Sequence, residues 1–405
     1  MGAEIDRGLR RDGEQRLVVT DRALFVTLAM LSTFGPLSTD MYLPALPSLT
    51  RDLHTSVASS NLTLTASVLG IAVGQLLAGS ISDALGRSRP LRLGLLGFAA
   101  MSALCAISPS ILALIAARFV QGVCGGSSIV ISRAIVRDLY EGVRAAQMFA
   151  LLIMLGGLAP ILAPLIGGVV LAVGSWRVVF LVLAAVSLVV LLATLRVVPE
   201  TLAEDLRQSG ELRDIRGAFG QLLRNRRFMP WVVSYALAFG TLFAWISGGS
   251  YVLENVYGVS PQLFSVIFAV NAIAYVLASR LCARLVIRIS PQRLARAGMA
   301  VGAGAGVAVL ALILFDGGLA PLLVAILLAD AATGAILPNA ISAAMERLST
   351  NLGSASALLG LAQFGFGAAL APLIGLGGAH DALPMAIAMG GCAVAALAFN
   401  LGFAR

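Results

Sequence analysis

Three residues carry charge where the surrounding sequence is apolar: Asp40, Arg118 and Asp330. Asp40 lies in Ser-Thr-Phe-Gly-Pro-Leu-Ser-Thr-Asp-Met-Tyr-Leu-Pro-Ala-Leu-Pro-Ser, residues 32–48 of the first long apolar run. An ionised carboxylate at membrane depth costs roughly 3 kcal/mol or more, so such a group faces a protein interior or a water-filled cavity. Pro36, Pro44 and Pro47 each remove a helical N–H and strand the carbonyl four residues earlier, on Ser32, Asp40 and Leu43. Freed carbonyls are tolerated in a membrane only against protein or water. The stretch reads as a broken helix that places a titratable carboxyl in a central cavity. The alternative is a carboxyl near the outer interface, capping a proline turn.

Arg118 cannot realistically discharge, so it needs a carboxylate, carbonyls or water. A carboxyl held between burial and a nearby guanidinium can exchange a proton during a cycle. Asp40, Arg118 and Asp330 are therefore the candidates for proton coupling or substrate contact. Tyr42, Gln121, Tyr235, Asn271 and Gln363 are candidate polar groups of a mostly apolar cavity wall. Enzymatic chemistry has no constellation here. The chain holds no Lys, so a phosphate loop lacks its cation, and His54 and His380 sit beside short loops with no nucleophile set. Cys105, Cys124, Cys282 and Cys392 lie in apolar runs without metal or disulfide spacing. No metal, cofactor or nucleic-acid partner is expected.

What positions these groups is a membrane. Of 405 residues, 59% are hydrophobic and only 12% charged, which excludes an ordinary soluble domain. Runs long enough to cross the hydrocarbon fall near 23–49, 59–82, 90–107, 111–132, 146–172 and 176–198. Six more follow at 229–253, 261–285, 295–315, 319–345, 353–377 and 382–403. Arginine placement sets the orientation. With the N-terminus inside, 25 of the 28 arginines fall in cytoplasmic segments, Arg51 and Arg177 fall outside, and Arg118 lies within a span. The expected organisation is a cytoplasmic tail 1–22, a six-helix bundle 23–198, a cytoplasmic linker 199–228 and a second bundle 229–405. Both termini are expected in the cytoplasm.

The halves echo one another. Residues 162–167 and 370–375 both read Leu-Ala-Pro-Leu-Ile-Gly, each in the fifth span of its half. Ala66, Gly70, Gly74, Ala78 and Ser82 recur every four residues on span two, as do Gly298, Gly302 and Gly306 on span nine. Small residues at that spacing let helix backbones approach closely. Gly156, Pro160, Pro164 and Gly168 share a face of span five and predict a bend there.

The loop after span two resembles the signature of the major facilitator superfamily, Gly-x-x-x-Asp-x-x-Gly-Arg followed by two basic residues. Gly79, Asp83, Gly86, Arg87 and Arg89 match, and Ser88 departs from the basic pattern. The resemblance implies a cytoplasmic gate made of Gly79, Asp83, Gly86 and Arg87, with Asp138 as a further member. Residues 39–47 resemble the first helix of the Bcr/CflA (bicyclomycin/chloramphenicol resistance) drug exporters. Arg118-Phe119-Val120-Gln121-Gly122 resembles their fourth-helix motif. Residues 159–168 resemble the antiporter motif of the fifth helix, carried by Pro160, Pro164, Gly167 and Gly168, with Ala163 where the general pattern has Gly. Trp176-Arg177 and Pro199-Glu200-Thr201 fit as well. A related exporter type carries a second acidic residue two turns before Asp40; Ser32 stands there, so a two-carboxylate scheme in the first helix does not carry over.

The expected fold is all-α, with twelve transmembrane helices in two pseudo-symmetric six-helix bundles. The implied function is proton-coupled efflux of small, mostly hydrophobic drugs across the cytoplasmic membrane by a monomer whose partners are drug, protons and the bilayer. The competing readings are a facilitator or symporter of a small metabolite, and a non-transporting membrane receptor or scaffold.

Overall fold

The computed structural model describes residues 23–202, 215–346, 348 and 352–403. The expected tail 1–22, and with it Arg207, Arg213, Arg347 and Arg405, lies outside the described residues. The first apolar run is not one helix. It is divided into α1 (Ala23–Ser32), α2 (Phe34–Asp40), a single tight turn at Leu43–Ala45 and α3 (Leu46–Asp52). The breaks fall where the prolines withdraw hydrogen bonds: α2 ends on Asp40, four residues before Pro44.

Ten further helices are long and apolar enough to span a membrane. They are α4 (Val57–Leu85), α6 (Ile111–Leu139), α7 (Gly142–Val173), α8 (Trp176–Val197), α10 (Met229–Tyr251), α11 (Pro261–Leu285), α12 (Pro291–Leu314), α13 (Leu319–Met345), α14 (Leu352–Ile374) and α15 (Leu383–Phe403). With the broken first segment and α5 (Ser88–Ala106) they make the twelve expected spans. Local chemistry fixes several starts. The hydroxyls of Ser56, Ser110 and Ser260 cap α4, α6 and α11, and Pro261 and Pro291 open α11 and α12. α7 continues through Pro160 and Pro164 as one helix. The stretch 199–228, read as a polar linker, also holds a short amphipathic helix, α9 (Ile215–Arg224), whose Leu222 is buried against Phe228 and Trp231.

Each half repeats the same packing. α4 crosses α6 while α5 packs on α6 and α8; in the second half α11 crosses α13 while α12 packs on α13 and α15. The small-residue stripe of α4 is what brings it onto α6. A Cβ on Gly70 would stand 2.1 Å from the Phe119 carbonyl oxygen, and one on Gly122 would stand 2.2 Å from that of Ser67. The halves join through α4 against α14 and α7 against α11. Asn61 donates to the Ala371 carbonyl at 3.0 Å, Thr65 to that of Ala368 at 2.8 Å, and the Thr50 and Tyr251 hydroxyls pair at 2.7 Å. Among the described residues, the hydrogen bonds between halves cluster at this end of the helices, away from the arginine-rich loops.

The α4–α6 crossing gives a direct stability test. Gly122→Val forces the two backbones apart and should cost about 1–3 kcal/mol, read as a lower Tm for the purified protein in detergent. Gly304→Val, at a position with no neighbour within 4 Å, should leave Tm within a degree or two.

Candidate functional site

A cavity of about 770 Å³ lies between the halves, a size usual for small-molecule sites. Its walls include Pro36, Asp40, Gln75 and Arg133 from the first half and Phe239, Tyr275 and Gln363 from the second. It continues into a smaller chamber of about 380 Å³ that also holds Pro160, Asn271 and Asp330. The helix break puts Asp40 on this wall with its side chain almost wholly covered, 7% exposed. Its Oδ1 accepts a hydrogen bond from the Thr39 hydroxyl at 2.8 Å. Among the described residues no arginine forms an ion pair with it.

Arg118 corrects the expectation of a cavity residue. It is fully buried behind the wall and lines neither compartment. Nη1 donates to Ser38 Oγ at 2.9 Å and to Gln121 Oε1 at 2.5 Å, and Nη2 donates to the Ser38 carbonyl at 2.8 Å. The guanidinium lies 4.4 Å from the centroid of the Tyr42 ring and 5.5 Å from that of Phe180. Neutral acceptors and ring faces thus stand in for the carboxylate an isolated arginine would need. Tyr42 and Gln121 are corrected with it. Tyr42 is buried and pairs its hydroxyl with Thr63 at 3.0 Å, while Gln121 donates to Ser102 at 2.6 Å. The Ser38 carbonyl is one of the last of α2, which has no helical partner. Arg118 therefore fastens the broken helix two residues from Asp40.

In the second half, Gln363 lines both compartments and Asn271 and Asp330 line the chamber. Tyr235 stands outside the wall and donates its hydroxyl to Gln363. Tyr275, Arg133 and Gln75 line the cavity and were not singled out from sequence. Tyr275 sits one turn after Asn271 on α11, a spacing that could have found it. Arg133 lies beyond the expected end of span four, on the part of α6 that continues past the apolar run.

The fifth-helix motif has a steric meaning. A Cβ on Gly167 would fall 1.9 Å from the Met41 carbonyl oxygen, and one on Gly168 would fall 2.5 Å from Ser265 Oγ. α7 is thus wedged between the residue after Asp40 and the start of α11 in the other half. Pro160 lines the chamber and Pro164 is buried.

The loop between α4 and α5 forms a second centre. Arg87 bonds Asp83 at 2.5 Å, Ser82 at 2.8 Å and Asp138 at 2.9 Å. Burial works against its charge, but the hydrogen bonds it donates to Asp138 and Asp83 outweigh this and raise its pKa. Gly86 turns the chain at φ +87°, and a Cβ there would meet Glu200 at 2.6 Å. Gly79 is not constrained in this way, since the nearest atom to its Cβ would be 3.9 Å off. Glu200 accepts from the backbone N–H of Arg87 at 2.7 Å and of Ser88 at 3.1 Å, at the free N-terminal amides of α5. Thr201 donates to Asp138 at 3.0 Å, so all three residues from Pro199 onward hold this loop, Pro199 through its carbonyl to Ser88.

Two halves that repeat the same helix packing in the same order around a central cavity define a multi-pass membrane transporter rather than an enzyme. A family model described as Major Facilitator Superfamily matches residues 28–372, and the chain belongs to that family. It is 37% identical over 380 residues to the uncharacterized MFS-type transporter YdgK of Bacillus subtilis (strain 168), covering 93% of each chain. It is 30% identical over 369 residues to the bicyclomycin resistance protein homolog of Haemophilus influenzae, covering 91% of this chain and 93% of that one. Its fold is similar to the crystal structure of a bacterial homolog of the human lysosomal transporter Spinster, inward-facing and occupied. That match has TM-score 0.74 and 15% identity and covers 94% of each chain. Proteins of this family move small molecules across membranes, and several relatives are named for drug resistance.

Two variants check the geometry. Arg118→Lys keeps the charge but loses the planar fork, and should cost about 2–3 kcal/mol of stability, seen as a lower Tm in detergent. Glu200→Ala leaves the first amides of α5 unpaired. Limited proteolysis near residue 200 should then proceed several-fold faster than in the unsubstituted protein, while Glu200→Asp should be intermediate.

Proposed function

We propose that the protein is a proton-coupled exporter of small, mostly hydrophobic drugs, working by alternating access as a monomer in the cytoplasmic membrane. The arginine-rich end faces the cytoplasm, in accord with the bias of basic residues toward that side. In this orientation the cavity is open inward, and the contacts Thr50–Tyr251, Asn61–Ala371 and Thr65–Ala368 close the outer end. The proposed organisation follows the expected tail, first bundle, linker and second bundle, with the α4–α5 loop and Asp138 as the inner gate.

The observation that carries this reading is Asp40: a buried carboxyl on the cavity wall, at a helix break, with a neighbouring hydroxyl and no cationic partner among the described residues. Asp40 takes up a proton while the cavity faces outward and gives it up inward. A drug and a proton compete for the same wall. The Gly167 contact with the Met41 carbonyl ties α7 to the residue after Asp40. A change in Asp40 is thereby passed to the helix that touches the opposite half at Ser265. Arg118 acts at one remove, by holding the α2 terminus that aims Asp40.

The test uses proteoliposomes with an imposed pH gradient, acidic on the side facing the outer end of the protein. Asp40→Asn should keep its Tm within a few degrees yet lose gradient-driven chloramphenicol transport by at least about tenfold, in line with one group carrying the coupling. Full gradient-driven transport by Asp40→Asn would remove the residue from the mechanism. Movement of drug in the same direction as the proton would favour a symporter.

A further inference from the structure

The smaller chamber holds polar groups that the coupling scheme does not use. Asp330 on α13 and Asn271 on α11 both line it, and each is only 3% exposed. Asp330 Oδ1 and Asn271 Nδ2 are buried without any hydrogen-bond partner. Asp40, on the facing half, has its Oδ1 engaged by Thr39. The contrast matters because a buried acceptor and a buried donor left open on one surface are costly, about 1–3 kcal/mol each, unless something fills them. No arginine or histidine is among the described residues that line this chamber. Asp40 and Gln363 also reach this chamber from its boundary with the larger cavity, and the rest of its wall is largely apolar and aromatic, with Phe239, Phe268 and Tyr275 presenting rings.

We propose that Asp330 and Asn271 form a substrate subsite for the head of a lipophilic amine, one whose ammonium stands next to a carbonyl. The ammonium donates to Asp330, the Asn271 amide donates to the carbonyl, and the apolar body lies against Phe239 and Phe268. An ammonium gains from the carboxylate and from nearby ring faces. A neutral ligand keeps the Asn271 contact and the apolar wall but lacks the charge-assisted bond to Asp330. The proposal rests on the exporter reading, and it assigns the cationic subset of substrates to the second half while Asp40 in the first half carries the proton. The chamber of about 380 Å³ is within the range that holds a small drug.

The experiment is equilibrium binding to the purified full chain in detergent at neutral pH, with no gradient. The probes are lidocaine, a tertiary amine beside an amide carbonyl, and N-(2,6-dimethylphenyl)acetamide, which keeps the ring and carbonyl and lacks the amine. Lidocaine should bind at least about tenfold more tightly, the value of one charge-assisted hydrogen bond. Asp330→Asn should abolish that preference and leave the acetamide unchanged, which also reports that the variant is folded. Asn271→Ala should weaken both probes alike and keep the preference. Equal binding of the two probes to the unsubstituted protein, or a preference that survives Asp330→Asn, overturns the proposal. Because no gradient is present, loss of proton-driven transport would count against the exporter reading alone and leave this result standing.

Discussion

A helix that breaks inside a membrane must find partners for its open carbonyls, and here the guanidinium of Arg118 supplies one. It takes the Ser38 carbonyl and hydroxyl from a helix of only seven residues, about two turns, while Gln121 and the rings of Tyr42 and Phe180 surround the charge. Without that bond the end of α2 would carry an unmatched polar group in a low-dielectric interior. Everything that follows in the cavity inherits this placement. Asp40 stands where it does because α2 ends there, and α2 can end there because its last turn is received by side chains of α6.

The same logic explains why glycine recurs at the contacts that matter. α6 brings Arg118 to α2 only because Gly122 lets it lie against the Ser67 carbonyl of α4, and α7 reaches the break only because Gly167 meets the Met41 carbonyl. Close backbone contact replaces apolar burial as the force between these helices, since lipid and leucine are equally apolar. The second half has the same kind of crossing, where a Cβ on Gly334 of α13 would stand 2.2 Å from the Tyr275 carbonyl oxygen of α11, and it adds rings and amides to the cavity wall.

Much of this was legible in the sequence. Apolar runs locate the twelve spans to within a few residues, because the bilayer sets a minimum length for any helix that crosses it. The prolines around Asp40 foretell the broken helix, since a lost N–H has the same effect wherever it occurs. The roles of Arg118, Tyr42 and Gln121 were not legible. All three are polar residues in spans, and so looked like cavity groups, but small residues line more than one side of α6 and give no period from which to read which face meets the cavity. Ser38, an ordinary hydroxyl in sequence, is the partner that decides the matter. Glu200 was visible as part of a motif, yet its bonds to α5 join residues more than a hundred apart and leave no local trace. The short α9 escaped notice because its ten residues are too few to read as a span and lie in a stretch rich in arginine.

The clamp at Glu200 and the burial of Leu222 together change how the covalent link between the halves should be regarded. The segment leaving the first half is fastened to the α4–α5 loop, and α9 packs on α10 and α14 of the second. Between these anchors run residues 203–214. Among the described residues, what joins the halves directly is the noncovalent seam where Thr50 meets Tyr251 and where Asn61 and Thr65 meet α14.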